Sequence, residues 1–259
     1  MEVTFLGTGT SEGVPTILQP ESVQLDVHNK KNWRTRTSIH VVMNDHHIQV
    51  DAGPEFRLQC IHNDIKKIDS FILTHSHSDH IIGMDDLRRF CRMRNGEAIP
   101  VYSQECDLNR VRDIFPYAIR DKAEGNYPAF KLHPMPDCLV LPGGKVYKTI
   151  LPHGNFFVLG LVFEEEGSGK KLVYYIDCKS VPIPAMKMAT GADIVVLDAL
   201  RHREHFSHMS IDEALSVARE ISGGQTWFVH MCCEVDHERD SVSLPEGVGF
   251  AWDGMRLVL

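Results

Sequence analysis

Thr74-His75-Ser76-His77-Ser78-Asp79-His80 follows directly on the apolar run Ser70–Leu73. In extended backbone, side chains two positions apart project to the same side, so His75 and His77 can share one metal ion. Asp79 and His80 come after the chain changes direction and can serve a second ion. Imidazole and carboxylate donors suit Zn²⁺ and Mn²⁺, and also Fe²⁺. The 15 histidines of the chain concentrate in this stretch and at 202–208, which reinforces a metal site.

Working outward, other short apolar runs end in the same way. Val146–Leu151 leads to His153-Gly154, Leu172–Ile176 to Asp177, Ile194–Leu197 to Asp198 and Thr226–Val229 to His230. His153, Asp177 and His230 are therefore further candidate ligands at strand ends. Val3–Leu6 runs into Gly7-Thr8-Gly9-Thr10. Ser38–Met43 and Ile48–Val50 read as a hairpin around Asn44-Asp45, ending at Asp51-Ala52-Gly53. Between the strands lie helical patterns at Met84–Arg94, Glu105–Phe115 and Ile211–Ile221. The last is opened by Ser210 with Glu213 three residues on, a capping box. Strands with interspersed helices predict an α/β layered domain, and no repeat or linker divides residues 1–259.

Composition sets limits on function. Apolar residues at 43% and charged residues at 24% belong to a globular chain. No apolar run reaches the roughly 18–20 residues of a membrane span. The start Met1-Glu2-Val3-Thr4-Phe5 has no basic segment of a secretory signal, and the 7 cysteines are read as reduced thiols, so the expected location is cytoplasmic. Net charge is −8, with 27 basic against 35 acidic residues, which argues against a long nucleic-acid partner. A small anionic ligand held by a few local groups is compatible with it.

With Gly7-Thr8-Gly9, Asp51-Ala52-Gly53, the His75–His80 stretch, His153-Gly154, Asp177 and His230 in this order, the chain resembles the metallo-β-lactamase superfamily over nearly its whole length. The resemblance implies a four-layer αββα sandwich. It also implies that His75, His77 and His153 bind one divalent metal, that Asp79, His80 and His230 bind another, and that Asp177 bridges them. A two-metal site of this kind acidifies water into a hydroxide nucleophile and holds a phosphoester oxygen, with Asp79 also placed to orient the hydroxide.

Several branches fit poorly. Exported lactamases need a signal and many use a cysteine ligand. Glyoxalase-II-type thioesterases add a helical domain. Flavodiiron proteins have glutamate where His77 stands. Long-form transfer-RNA processing enzymes carry an RNA-gripping arm. The chain is more similar to the phosphoribosyl cyclic phosphodiesterases, through Gly7–Pro15, Arg34–Ser38, Gly83–Arg88, His205–Ser210, Leu244–Val248 and Asp253–Met255. By this resemblance His208 is the non-ligand active-site histidine. An imidazole there can bind phosphate and protonate the leaving alkoxide. His205 and Arg88 are further candidates for substrate binding, whereas Arg34 and Arg36 are read as structural. Relatives often hold a cysteine-rich zinc site after Gly-Val-Pro. Here residues 16–25 contain no cysteine, so no structural zinc is expected, and the loop is expected either to be less ordered or to be packed by Ile17 and Leu18 instead. The expected substrate is a small cyclic or nucleotide-like phosphoester. A thioesterase or lactonase and a non-enzymatic metal-bound sensor are the alternatives, and a homodimer is compatible with the sequence.

Overall fold

The computed structural model describes residues 1–259. A first sheet contains β1 (Glu2–Gly7), β2 (Ser38–Met43), β3 (His46–Val50), β4 (Ser70–Ile72), β5 (Ile99–Ser103) and β6 (Phe130–Pro134). A second contains β7 (Cys138–Leu141), β8 (Gly144–His153), β9 (Phe156–Glu165), β10 (Lys171–Tyr175), β11 (Ile194–Asp198), β12 (Gln225–Val229) and β13 (Val248–Phe250). The chain then returns to the first sheet as β14 (Arg256–Val258), giving the order β14-β1-β2-β3-β4-β5-β6 against β13-β12-β11-β10-β9-β8-β7. The β2–β3 hairpin turns at Asn44-Asp45, both with positive φ (46° and 63°), as a two-residue hairpin requires.

Alternation along the strands builds the layers. Tyr174, Val196 and Val229 point between the sheets and meet Phe5, Val41 and Ile72 of the first sheet. Their neighbours Val173, Tyr175, Val195 and Phe228 point outward. There they pack under α5 (Ile183–Ala189) and α6 (Ile211–Ile221), through Ala185, Met186, Ala214 and Ile221. The outer face of the first sheet, with Phe71, Val101 and Phe130, is covered by α1 (Phe56–His62), α3 (Arg88–Met93) and α4 (Glu105–Ile114). Two-residue periodicity thus yields the αββα sandwich, because both faces of each sheet must be buried.

Two readings of the sequence are corrected. The predicted helix Met84–Arg94 is broken: α2 (Ser78–Ile81) passes into a 3₁₀ segment, Ile82–Leu87, before α3 starts at Arg88. Met84, Leu87, Phe90 and Cys91 are nevertheless buried together, so the apolar face was real, and the α-helical pitch holds only from Arg88 onward. Ile17 and Leu18 do not pack the N-terminal loop. They are 92% and 94% exposed. Polar groups hold the loop instead. Asp236 Oδ2 accepts from the Asp26 amide at 2.9 Å and from Asn32 Nδ2 at 2.7 Å, and buried Arg34 donates to the Val235 carbonyl at 2.8 Å. Arg34 is structural, as expected.

Candidate metal centre

The parallel strands β10, β11 and β12 bring Asp177, Asp198 and His230 to one edge of the second sheet. His153 ends β8, which runs antiparallel to β9 as β9 does to β10, so it arrives at the same edge. The stretch after β4 supplies the facing side. In layered α/β folds this carboxyl end of the strands is where ligands bind.

Seven side chains converge in two overlapping groups. His75, His77, His153 and Asp177 form one, and Asp79, His80, Asp177 and His230 the other, with the ligating atoms of each group within 4.8 Å of one another. Asp177 belongs to both. His80 Nε2 lies 3.2 Å from Asp177 Oδ2 and 3.2 Å from Asp79 Oδ2, and His230 Nε2 lies 3.2 Å from Asp177 Oδ1. These are close approaches without hydrogen-bond geometry. His75 Nε2, His80 Nε2, His230 Nε2 and Asp177 Oδ1 are buried and have no hydrogen-bond partner. Buried polar atoms left in this state are costly, whereas cations at the centre of each group would satisfy them. The donor set therefore fits divalent metal.

Neighbouring groups orient the ligands. His80 Nδ1 bonds Asp51 Oδ2 at 2.8 Å. Thr74 donates its hydroxyl to the same oxygen at 2.7 Å, and its Oγ1 is 3.1 Å from His75 Nδ1. His153 Nδ1 donates to the Ser207 carbonyl at 3.1 Å. In each case Nδ1 is occupied and Nε2 is left for metal, the usual outer-sphere arrangement. Asp107 Oδ1 accepts from the Ser76 amide at 2.9 Å and fixes the loop between the first two histidines. Below, Ala52 N donates to the His80 carbonyl at 2.7 Å, and a Cβ on Gly53 would stand 2.4 Å from the Asp79 carbonyl oxygen. The Asp51-Ala52-Gly53 turn is thus a seat for helix α2, which carries Asp79 and His80.

Asp51, Asp177 and His230 all have positive φ, 59°, 49° and 61°. Non-glycine residues in this region cost energy and need a surrounding that holds them there. Electrostatics add to the pattern. Burial pushes the Asp177 carboxyl up, but His230 and His80 overcome it and hold it well below the usual carboxylate range. Asp79 is lowered in the same way, with His80 and His230 outweighing burial.

His208 lies outside both ligand groups. Its ring stacks on His230 with centroids 4.7 Å apart, and Nδ1 bonds Asp198 Oδ2 at 2.7 Å. Burial pulls its pKa down, but Asp198 overrides this and lifts it to about 9. Nε2 is the nitrogen left for a ligand in the cleft that His208 lines. Asp198 and Asp51 hold site histidines in place, a role that the sequence reading did not assign to them. Both stand at the end of an apolar strand, as Asp177 does, and that was the available signal. His205 is brought near: its ring is 5.3 Å from His208, on a loop and not a helix, and Nδ1 is 3.2 Å from Ser207 Oγ.

Arg88 is not brought to this cleft. Its guanidinium pairs with Asp85 across the 3₁₀-to-α junction, and it lines a separate groove with Phe56, Cys60 and Met93. The substrate-binding role expected for it is withdrawn. Arg36 is likewise engaged, paired with Glu55 and donating from Nε to the Ser11 carbonyl at 3.0 Å.

Comparison with known proteins agrees with this geometry. The family model described as Beta-lactamase superfamily domain matches residues 46–231, and the chain belongs to that superfamily. Within it the chain belongs to the branch of the PhnP family. The crystal structure of a new diphosphatase from that family shares 32% identity at a TM-score of 0.87, covering 99% of this chain and 96% of that one. Zn(2+)-bound PqqB from Methylobacterium extorquens, at 20% identity and TM-score 0.78 over 100% of both chains, shares the fold. Among curated proteins, an octanoyltransferase of Porphyromonas gingivalis (strain ATCC BAA-308 / W83) is 29% identical over 269 residues. That match takes in 100% of this chain but only 52% of the relative, so the chain spans about half its length.

Proposed function

We propose that the chain is a phosphodiesterase that uses two divalent metal ions, Zn²⁺ or Mn²⁺, on a small cyclic or nucleotide-like phosphoester of the phosphoribosyl cyclic phosphate type. The observation that carries this is the juxtaposition of two ligand groups sharing Asp177 with a non-ligand histidine held by a carboxylate. His75, His77 and His153 would hold one ion, Asp79, His80 and His230 the other, and Asp177 both. Bound there, such ions supply Lewis acidity that makes water a nucleophile near neutral pH and neutralises phosphate charge.

The protein's own part is positioning and proton transfer. Asp198 fixes His208 through Nδ1, so the proton on Nε2 is presented to the cleft. As the phosphorus–oxygen bond to the leaving group breaks, that proton passes to the departing alkoxide oxygen. Asp79 lines the same cleft and would accept a hydrogen bond from the attacking water. The cleft has a volume of about 320 Å³, at the small end of ligand sites. The test is hydrolysis of bis-p-nitrophenyl phosphate after loading with Mn²⁺ or Zn²⁺. Turnover that requires the added metal supports the reading, and metal-loaded protein without turnover on any phosphodiester removes it.

An acyl-ester or thioester substrate is the second reading. The similarity to an octanoyltransferase favours it. Octanoyl thioester and lactone substrates in the same assay decide between the two. The complete ligand set argues against a non-enzymatic sensor.

A further inference from the structure

We infer that Asp253, which belongs to neither ligand group, is a positioning residue for His230: its carboxylate holds residues 8–10, and that loop grips the chain immediately after the histidine. The role rests on the two-ion reading of the site and adds to it a residue that the ligand contacts do not reveal.

His230 is the ligand histidine whose ring the fold leaves without a hydrogen bond. In His75, His80 and His153, Nδ1 is engaged by Thr74, by Asp51 and by the Ser207 carbonyl. His230 Nδ1 is buried with no partner, and Asp198 Oδ1 is 4.0 Å from it, beyond hydrogen-bond reach. Stacking on His208 covers one face of the ring but does not stop it sliding in its own plane. The ring is therefore aimed mainly by its backbone. That backbone has φ 61°, which a non-glycine residue keeps only when its surroundings hold it there.

The chain before His230 is held by β12, and the chain after it by the loop that follows β1. The Met231 amide donates to the Thr8 carbonyl at 3.2 Å, and the Thr10 amide donates to the Met231 carbonyl at 3.3 Å, so Gly9 and Met231 form an isolated parallel bridge. Both bonds are at the long end of the normal range, and a small shift of the loop would break them. What fixes the loop is thus decisive for the histidine. It lies against residues 35–37, with the Gly9 amide donating to the Thr35 carbonyl at 2.8 Å and the Thr37 amide donating to the Gly9 carbonyl at 3.1 Å.

Asp253 ties these two segments together. Its Oδ1 accepts from the Thr8 hydroxyl at 2.8 Å, and its Oδ2 accepts from the Thr35 amide at 2.7 Å and the Thr35 hydroxyl at 2.6 Å. A carboxylate suits the place because both of its oxygens only accept, and bonds to an ionised acceptor are stronger than neutral ones. The base is firm. The Gly254 amide donates to the Phe5 carbonyl at 2.8 Å and the Phe5 amide to the Met255 carbonyl at 2.9 Å, which pins the turn carrying Asp253 on β1. Position is therefore passed from β1 through Asp253, Thr8 and Met231 to His230.

The test is zinc binding to metal-free protein, read as stoichiometry, affinity and thermal shift, for wild type, Asp253→Asn, Asp253→Ala, Thr8→Val and Thr8→Ser. Valine is close to threonine in shape and removes only the hydroxyl bonded to Asp253, whereas serine keeps it. Loss of a group that supports a metal ligand weakens binding by about 10- to 100-fold. Asp253→Ala and Thr8→Val should weaken one of the two ions by roughly tenfold or more and leave the other nearly unchanged. Thr8→Ser should bind both as wild type does. In Asp253→Asn crystals at limiting zinc, anomalous diffraction should show the ion among His75, His77 and His153 retained and the one at His230 depleted. A merely structural role would lower the Tm of metal-free and zinc-loaded protein equally, whereas positioning predicts a smaller rise in Tm on adding zinc than in wild type. Two ions held with wild-type affinity in Asp253→Ala and Thr8→Val would overturn the role of Asp253, and so would equal weakening of both ions. Should Asp253→Ala fail to fold, Thr8→Val against Thr8→Ser decides. Wild type that takes up no zinc would remove the two-ion reading and the role of Asp253 with it, and wild type with two ions beside unaffected variants would remove that role alone.

Discussion

Asp177 is the one side chain common to both ligand groups, and this makes its loss different in kind from that of a terminal imidazole. Asp177→Ala should lower the content of both metals, whereas His153→Ala and His230→Ala should lower mainly one each. Metal content by mass spectrometry of the three purified variants checks this, and equal loss from all three would leave no bridging role. His208→Ala should keep its metals and lose about 10²–10⁴-fold in kcat/KM on esters with alkoxide leaving groups. The loss should be smaller with p-nitrophenolate, which needs little protonation. Asp198→Asn acts through His208 and should show the same dependence on leaving group, with metals retained; a uniform loss with depleted metal would assign Asp198 to His230 instead. At this scale the two groups of side chains that the fold brings together were legible because each member is the residue type and position that a strand-end metal site demands. Asp51 and Asp198 were not, because an aspartate after a strand is equally a turn former. What distinguishes them is a partner far along the chain: His80, 29 residues from Asp51, and His208, 10 from Asp198. Arg88 failed for the converse reason. A cation near the ligands in sequence is free to bind phosphate only if no carboxylate claims it, and Asp85 does.

The most legible element was α6. Ser210 Oγ accepts from the Glu213 amide at 3.2 Å and Glu213 accepts from the Ser210 amide at 2.7 Å, so the capping box starts the helix at Ile211, as the sequence predicted. Local chemistry of this kind is independent of the rest of the fold. Ser210→Ala should destabilise the protein by about 1 kcal/mol, which corresponds to a fall in Tm of roughly 2–4 °C for a chain of this size. Calorimetry measures it, and an unchanged Tm would mean that packing alone holds the helix start. The stretch after His80 shows the opposite case. Its apolar positions satisfy a 3.6-residue period on paper, but Gly83 lies so close to Gly53 that a Cβ would stand 2.0 Å from the Gly53 carbonyl oxygen. That tertiary approach tightens the chain into a 3₁₀ segment, and no local propensity announces it. Among the strands, β5 contains Pro100, which obscures its alternating pattern, and β13 and β14 are only 3 residues each.

Across the whole molecule, the metal site and the sandwich are coupled, because the ligands end strands from both sheets. Removing metal leaves buried donors and carboxylates unpaired. Ligand that binds only the folded state stabilises it by about 4 kcal/mol at a thousandfold excess over Kd. Chelation should therefore lower Tm by several degrees and readdition of Zn²⁺ or Mn²⁺ should restore it; a Tm indifferent to chelator would mean that the ligand groups hold no ion. A second, separate lever on stability lies far from that site, in the first sheet. His40 is buried, with Nδ1 3.2 Å from Gln49 Oε1 and Nε2 3.0 Å from His47 Nδ1. Burial first, and then the neighbouring His47, depress its pKa to about 4 from the ordinary 6.5. The unfolded chain therefore binds a proton at His40 between those values and the folded protein does not. Stability from the neutral imidazole is fully present above about pH 6.5 and is lost as pH falls toward 4, by about 3 kcal/mol at most. Other buried histidines titrate in the same window, so the wild-type slope alone does not isolate His40. The measurement is the difference in unfolding free energy between wild type and His40→Gln, by urea titration from pH 7.5 to pH 5. Glutamine keeps a hydrogen-bonding group but has no proton to gain. Its substitution should be destabilising at pH 7.5, and the deficit should shrink as pH falls. A difference that stays constant with pH would show that His40 takes its proton as readily in the folded sheet as in the unfolded chain.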